Sequence, residues 1–167
     1  RFVGGALRMG SRGDLEALPV TRHNDEALRA GNPAGVDLIF HLAGVNRPAD
    51  VSAFAADNVQ FTQQVCDLAA KATSPVPIVF ASSIQAAQDN PYGESKRAAE
   101  AILEEYGRAT GARVHIARLP NVFGKWSRPN YNSVVATVCH NLARGLPLPH
   151  VDRAALLRLV YVDDVVE

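Results

Sequence analysis

The chain has 167 residues, with 17 Lys and Arg balanced by 17 Asp and Glu and a hydrophobic share of 47%. This suits about one domain with a sizeable core, and the cancelled charge leaves no electrostatic footprint for nucleic acid or an anionic membrane. Its apolar runs fall short of the ~18 residues a membrane span needs, and its five His residues lack metal-ligand spacing.

In chain order, Phe2-Val3-Gly4 has the form of the tail of a phosphate-cradling glycine loop. Residues 36–43 (VDLIFHLA) form a near-continuous apolar run, predicting a strand buried on both faces and ended by Gly44. From Val51 to Lys71 apolar residues recur at helical spacing, and a second buried strand is predicted over Val76–Ala81. Asn90 and Pro91 supply an N-cap and a first helical residue, so a helix is predicted from there to about Thr110, stopped by Gly111. Strands over Val114–Leu119 and Leu157–Val162 flank a helix covering roughly Asn132 to Arg144. Cys66 and Cys139 both fall in helical stretches and are expected to be buried reduced thiols. Repeated strand–helix units with short connections predict an α/β fold: a Rossmann-like, doubly wound parallel sheet. Ligands of such sheets bind beyond the carboxyl ends of the strands.

The chemistry-bearing residues fall at those ends. Ser83 closes one predicted strand, and Tyr92 and Lys96 stand four apart on one face of the next helix. A cation near the phenol is expected to draw the Tyr92 pKa down toward working pH, making it a proton donor or acceptor. Leu42-Ala43-Gly44 offers small residues where a ligand can approach the backbone. Arg118-Leu119-Pro120-Asn121 aims an amide into the same region, and Lys125, Trp126, Arg128, Tyr131 and Asn132 form a cationic and aromatic loop suited to a nucleotide.

Read together, these residues resemble the extended short-chain dehydrogenase/reductase superfamily, the nucleotide-sugar epimerase/dehydratase group. The matching segments are residues 40–44, Asn58, residues 81–83, Tyr92 to Lys96, Arg118 to Gly124, and Tyr161 to Val165. Residues 41–48 (HLAGVNRP), 83–86 (SIQA), 89–96 (DNPYGESK) and 121–132 are similar, more narrowly, to the CapF/WbjC-type capsular polysaccharide reductases.

The resemblance implies NAD(P)-dependent reduction of a UDP-linked 4-keto-6-deoxy-N-acetylamino sugar on the route to N-acetyl-L-fucosamine of capsule or O-antigen. It implies that Tyr92 protonates the C4 oxygen, Ser83 orients the carbonyl, and Lys96 holds the nicotinamide ribose. Gly4, Leu42, Ala43, Gly44 and Pro120 would line the cofactor, and Gln85, Asn121, Asn132 and Arg153 the UDP-sugar. Arg22, where NAD-preferring members place an acid, favours NADP(H) over NAD(H). The whole of residues 1–167 then reads as a partial NAD(P)-binding domain, incomplete at both ends, with the substrate-capping region and any C-terminal cupin absent. No metal is expected, and the protein is expected to be a cytoplasmic homodimer. An NAD-retaining epimerase and a non-catalytic NAD(P)-binding regulatory module stand as alternatives. Ile84-Gln85 after the serine disfavours a dehydratase, and the intact tyrosine and lysine disfavour the regulatory module.

Overall fold

A computed structural model describes residues 35–46, 48–148 and 156–167. Those up to Arg118 belong to one compact unit and those from Leu119 to a second. Gly4, Arg22 and Arg153 lie outside the described residues.

The first unit is a three-stranded sheet in the order β1-β2-β3, with β1 Ile39–His41, β2 Ile78–Ser83 and β3 Val114–Leu119. β1 pairs with β2 in parallel, from Ile39 opposite Ile78 to His41 opposite Phe80. Between them the chain is helical over residues 52–69: α1 (Ser52–Phe54), a π-helical turn (Ala55–Gln60) and α2 (Phe61–Ala69). A 3-10 turn (Ile84–Ala87) leads from β2 to α3 (Pro91–Thr110). The sequence-predicted bounds of α3 and β3 hold to the residue.

Both ends of α3 follow from local chemistry. The Asn90 side chain accepts from the Gly93 amide at 2.8 Å, Pro91 occupies a position with no amide partner to lose, and Gly111 stops the helix at φ 75°. Its inner face carries Lys96, Ala99, Leu103 and Tyr106, the i, i+3, i+7, i+10 positions of one stripe. Leu103 and Ala99 pack with Ile78 and Phe80 of β2 and with Val65 and Cys66 of α2. The Tyr106 hydroxyl donates to the Val76 carbonyl at 2.8 Å, so its polar end is satisfied inside the core.

Four expectations are corrected. β1 is short and not buried on both faces: Ile39 and His41 turn inward, while Leu38 and Phe40 are exposed, the alternation of a strand with one packed side. The helix predicted from Val51 to Lys71 contains the π turn. Ser82 and Ser83 lie within β2 rather than after it, two residues beyond the end expected from the apolar run. Cys139 is exposed, whereas Cys66 is buried and its thiol pKa is pushed up to about 11, chiefly by that burial.

In the second unit β4 (Asn121–Phe123) pairs in parallel with β5 (Leu159–Tyr161), and α4 (Val134–Leu142) and α5 (Val162–Val166) complete it. Asn121 thus opens a separate strand instead of ending the preceding one, and α4 starts two residues later than predicted, capped by the Ser133 hydroxyl. Gly124, at φ 124°, lies flat against Tyr161: a Cβ there would come within 2.4 Å of the ring. No helix among the described residues is long and apolar enough to cross a membrane.

Gly93 is where α3 meets the 3-10 turn, and a Cβ on it would lie 2.2 Å from the Gln85 carbonyl oxygen and 2.6 Å from that of Gln88. Both contacts are with backbone, so Gly93→Ala is expected to cost about 3 kcal/mol, read as a lower urea midpoint. Buried His41 is the second sensitive point, its pKa lowered to about 4 by burial and then by the Lys96 charge. The unfolded chain binds that proton more tightly, so stability is full above pH ~6.5 and falls by about 3 kcal/mol as the pH drops to ~4. Urea titrations over that range should show the loss, and His41→Gln should flatten it.

Candidate functional site

Ser83, Tyr92 and Lys96 come together at the carboxyl end of β2. Ser83 is the N-cap of the 3-10 turn, its hydroxyl oxygen accepting from the Gln85 amide at 3.2 Å, which fixes the hydroxyl toward the start of α3. Its hydroxyl is also near enough to the phenol of half-buried Tyr92 to pull that phenol's pKa down. Lys96, one turn on and 5% exposed, donates from Nζ to the Ala81 carbonyl at 3.0 Å. The ammonium stands 4.6 Å from the centroid of the Phe80 ring and 6.0 Å from that of Tyr92. The Tyr92 ring also packs on Phe54 at 5.9 Å.

The electrostatics differ from the sequence expectation. Burial raises the Tyr92 pKa, and the neighbouring Ser83 hydroxyl only partly opposes it. Lys96 is itself the strongly perturbed group: burial lowers its pKa to about 8 against an opposing pull from the Glu100 carboxylate. At neutral pH the site therefore presents a neutral phenol beside an ammonium.

The stretch after β1 completes this side of the site. Ala43 and Gly44 are exposed at the strand's carboxyl end, with Leu42 half-buried beside them. A Cβ on Gly44 would approach Asn58 Oδ1 to 3.0 Å and Lys96 Nζ to 3.3 Å, so bare backbone is what leaves room beside the ammonium. Asn58, buried within the π turn, ties the neighbouring Val45 in place. Its Oδ1 accepts from the Val45 amide at 2.8 Å, and its Nδ2 donates to the Val45 carbonyl and to Ser95 Oγ, each at 2.9 Å. Ser95 in turn donates to the Tyr92 carbonyl at 2.7 Å. Below this, the Thr62 hydroxyl donates to the Asn58 carbonyl at 2.6 Å and accepts from His41 Nε2 at 2.8 Å, which assigns the neutral His41 its proton at Nε2.

Gln85 is exposed on the 3-10 turn of the same unit. Pro120, Asn121 and Asn132 belong to the second unit, with Asn121 exposed and the other two half-buried. Lys125, read from sequence as a phosphate-binding cation, is paired with Asp163 at 2.7 Å, and this pairing raises its pKa. Trp126 and Asn130 adopt left-handed backbone at φ 63° and 54°, giving that loop a fixed, turned shape.

Sequence reasoning assigned no role to one buried group. Glu100 accepts from Ser82 Oγ, from Arg118 Nε at 3.0 and 3.2 Å, and from Arg118 Nη2 at 2.6 Å. Burial pushes its pKa up, but the Arg118 and Ser82 bonds and the Arg118 and Lys96 charges together hold it below the usual carboxylate range. The available signal was an acid on the apolar stripe of α3, four residues after Lys96.

Comparison with known proteins bears on the family and the fold. A curated relative from Pseudomonas aeruginosa PA103, named UDP-2-acetamido-2,6-beta-L-arabino-hexul-4-ose reductase, is 47% identical over 99% of this chain and 45% of its own length. The crystal structure of the capsular polysaccharide assembling protein CapF from Staphylococcus aureus superposes with a TM-score of 0.78 at 41% identity, covering 99% of this chain and 45% of that one. UDP-glucuronic acid 4-epimerase from Bacillus cereus, solved with UDP-glucuronic acid and NAD, shares the fold at TM-score 0.71 and 17% identity over 98% of this chain and 57% of its own. The chain thus spans less than half the length of its reductase and CapF relatives. Its parallel sheets with their helices are Rossmann-type. The sequence pattern of the NAD dependent epimerase/dehydratase family matches residues 18–167, and with the Ser–Tyr–Lys constellation on this fold, the chain belongs to that family, among its extended short-chain dehydrogenase/reductase members.

Proposed function

We propose that the full-length protein reduces the 4-keto group of a UDP-linked 6-deoxy-N-acetylamino sugar with NADPH, in the cytoplasm and as a homodimer, on the route to N-acetyl-L-fucosamine of capsule or O-antigen. The observation that carries the reading is the neutral phenol of Tyr92 at the carboxyl end of β2, its ring 6.0 Å from a buried ammonium. A group that must give a proton to a developing alkoxide works best if it still has that proton at neutral pH. The reductase name of the 47% identical relative supports the same direction of reaction.

The residues fit a nicotinamide cofactor: exposed Gly44 offers bare backbone next to the Lys96 ammonium, with exposed Ala43 preceding it, a surface for ribose and phosphate oxygens. When bound, that cofactor supplies the hydride. Ser83 holds the sugar's carbonyl oxygen, and Tyr92 passes its proton to that oxygen. Lys96 binds the ribose hydroxyls and stabilises the phenolate left on Tyr92 by its charge. Leu42 and Pro120 line the cofactor, and Gln85, Asn121 and Asn132 contact the UDP-sugar. The preference for NADPH rests on Arg22 in the sequence, and Gly4 and Arg153 complete the cofactor and substrate contacts of the reading.

The full-length protein, given the 4-keto sugar nucleotide, is expected to consume NADPH with one reduced sugar formed per NADPH. Tyr92→Phe should lower kcat by about 10²–10⁴-fold with little change in cofactor affinity. An unchanged kcat, or sugar conversion without net NADPH use, would sink the reading. The rate should also fall as the pH rises through ~8, where Lys96 loses its proton. Since the Lys96 pKa is depressed in the fold, its ammonium costs about 3 kcal/mol at neutral pH, a penalty removed only as the pH rises toward 10.5. Lys96→Met is therefore expected to abolish turnover while raising stability by about 1–2 kcal/mol, after allowing for the bond lost at Ala81.

A further inference from the structure

Two adjacent residues of β2 are tied to two residues one turn apart on α3. The Ala81 carbonyl accepts from Lys96 Nζ, and the Ser82 hydroxyl donates to Glu100. Glu100 is only 5% exposed, so its charge acts through protein rather than through water. Its partner Arg118 binds it through a two-pronged contact, but the arginine side chain is 50% exposed. The pair is thus a dipole with its negative end buried beside Lys96 and its positive end screened by solvent. Among the described residues, the other groups facing Lys96 add no negative charge: Tyr92 on its own helix is a neutral phenol, His41 from β1 is a neutral imidazole, and Asn58 of the π turn is an amide.

We propose that Glu100 is a positioning residue for Lys96: anchored by Ser82 and Arg118, its buried carboxylate is the counter-charge that keeps the ammonium cationic beside Tyr92. The role of Lys96 that this serves rests on the reductase reading, but the electrostatic coupling itself does not. Burial alone drives Lys96 toward the neutral amine, and a carboxylate one helical turn away opposes that drive. Because Glu100 reaches no reacting atom, it acts only through Lys96. Arg118 and Ser82 matter because an unheld carboxylate at this depth would take up a proton and lose its field.

The test labels the full-length protein with ε-13C lysine, identifies the Lys96 signal by its loss in Lys96→Arg, and follows its pH titration without substrate or cofactor. In Glu100→Gln the midpoint should fall by about one pH unit, with the alkaline limb of the kcat profile moving by the same amount, whereas Glu100→Asp should restore most of both. Should Glu100→Gln not fold, the paired variant Glu100→Gln/Arg118→Met removes both charges together, and the Lys96 midpoint should fall there too. A midpoint that stays in place in whichever variant folds overturns the proposal. If the reductase reading alone is wrong, the Lys96 titration still moves while no NADPH is consumed, so the two failures give different results.

Discussion

Holding a lysine ammonium inside a protein is unfavourable, and much of the first unit is arranged around doing so. Lys96 has the Ala81 carbonyl and the Phe80 ring face in place of water, with the Glu100 carboxylate one helical turn away. Two elements supply these groups, and a third holds one of them in place. Ala81 and Phe80 belong to β2, and Glu100 is kept ionised by an arginine from β3. The open side is bounded by Gly44, which follows β1. β2 therefore meets the ammonium directly, β3 acts on it through Glu100, and the turn after β1 leaves room beside it. In this sense the sheet order and the site are one design: moving β2 by a residue would take the Ala81 carbonyl and the Phe80 ring from the ammonium.

The same atom sets fold against function. A buried charge that weakens the native state is retained because a phenol needs a cation nearby when it gives up a proton. Tyr92 lies half-buried against Phe54, and that burial keeps the phenol neutral until reaction demands otherwise. The acid is held in reserve by burial, and the lysine is ready to stabilise what is left behind.

Those features whose causes are local were legible in the sequence. Asn90, Pro91 and Gly111 announced α3 to the residue, since caps and glycine stops act within one turn. Ser83, Tyr92 and Lys96 were found for a similar reason: one strand end and one helical spacing place them together. What escaped had tertiary causes. The direction of the Tyr92 shift depends on burial, which an i, i+4 spacing does not reveal. The Glu100 pair spans 18 residues on each side, to Ser82 and to Arg118, and only the packing of α3 on the sheet brings them together. The exposed side of β1 defeated a reading that equated a continuous apolar run with burial on both faces.

The π turn at Ala55–Gln60 carries a consequence for how this segment can change through descent. Such a turn holds one residue more than an α-helical turn, in the manner of a single insertion absorbed without breaking the helix. Removing one residue there would return the segment to α-helix while leaving the flanking turns in register, so the change would fall on the residues of the turn itself. Asn58 would swing away from Val45 and Ser95, and the strap over the Gly44 backbone would be lost. Lineages that keep this site should therefore tolerate changes of residue type along residues 52–69 far more readily than a change in their number.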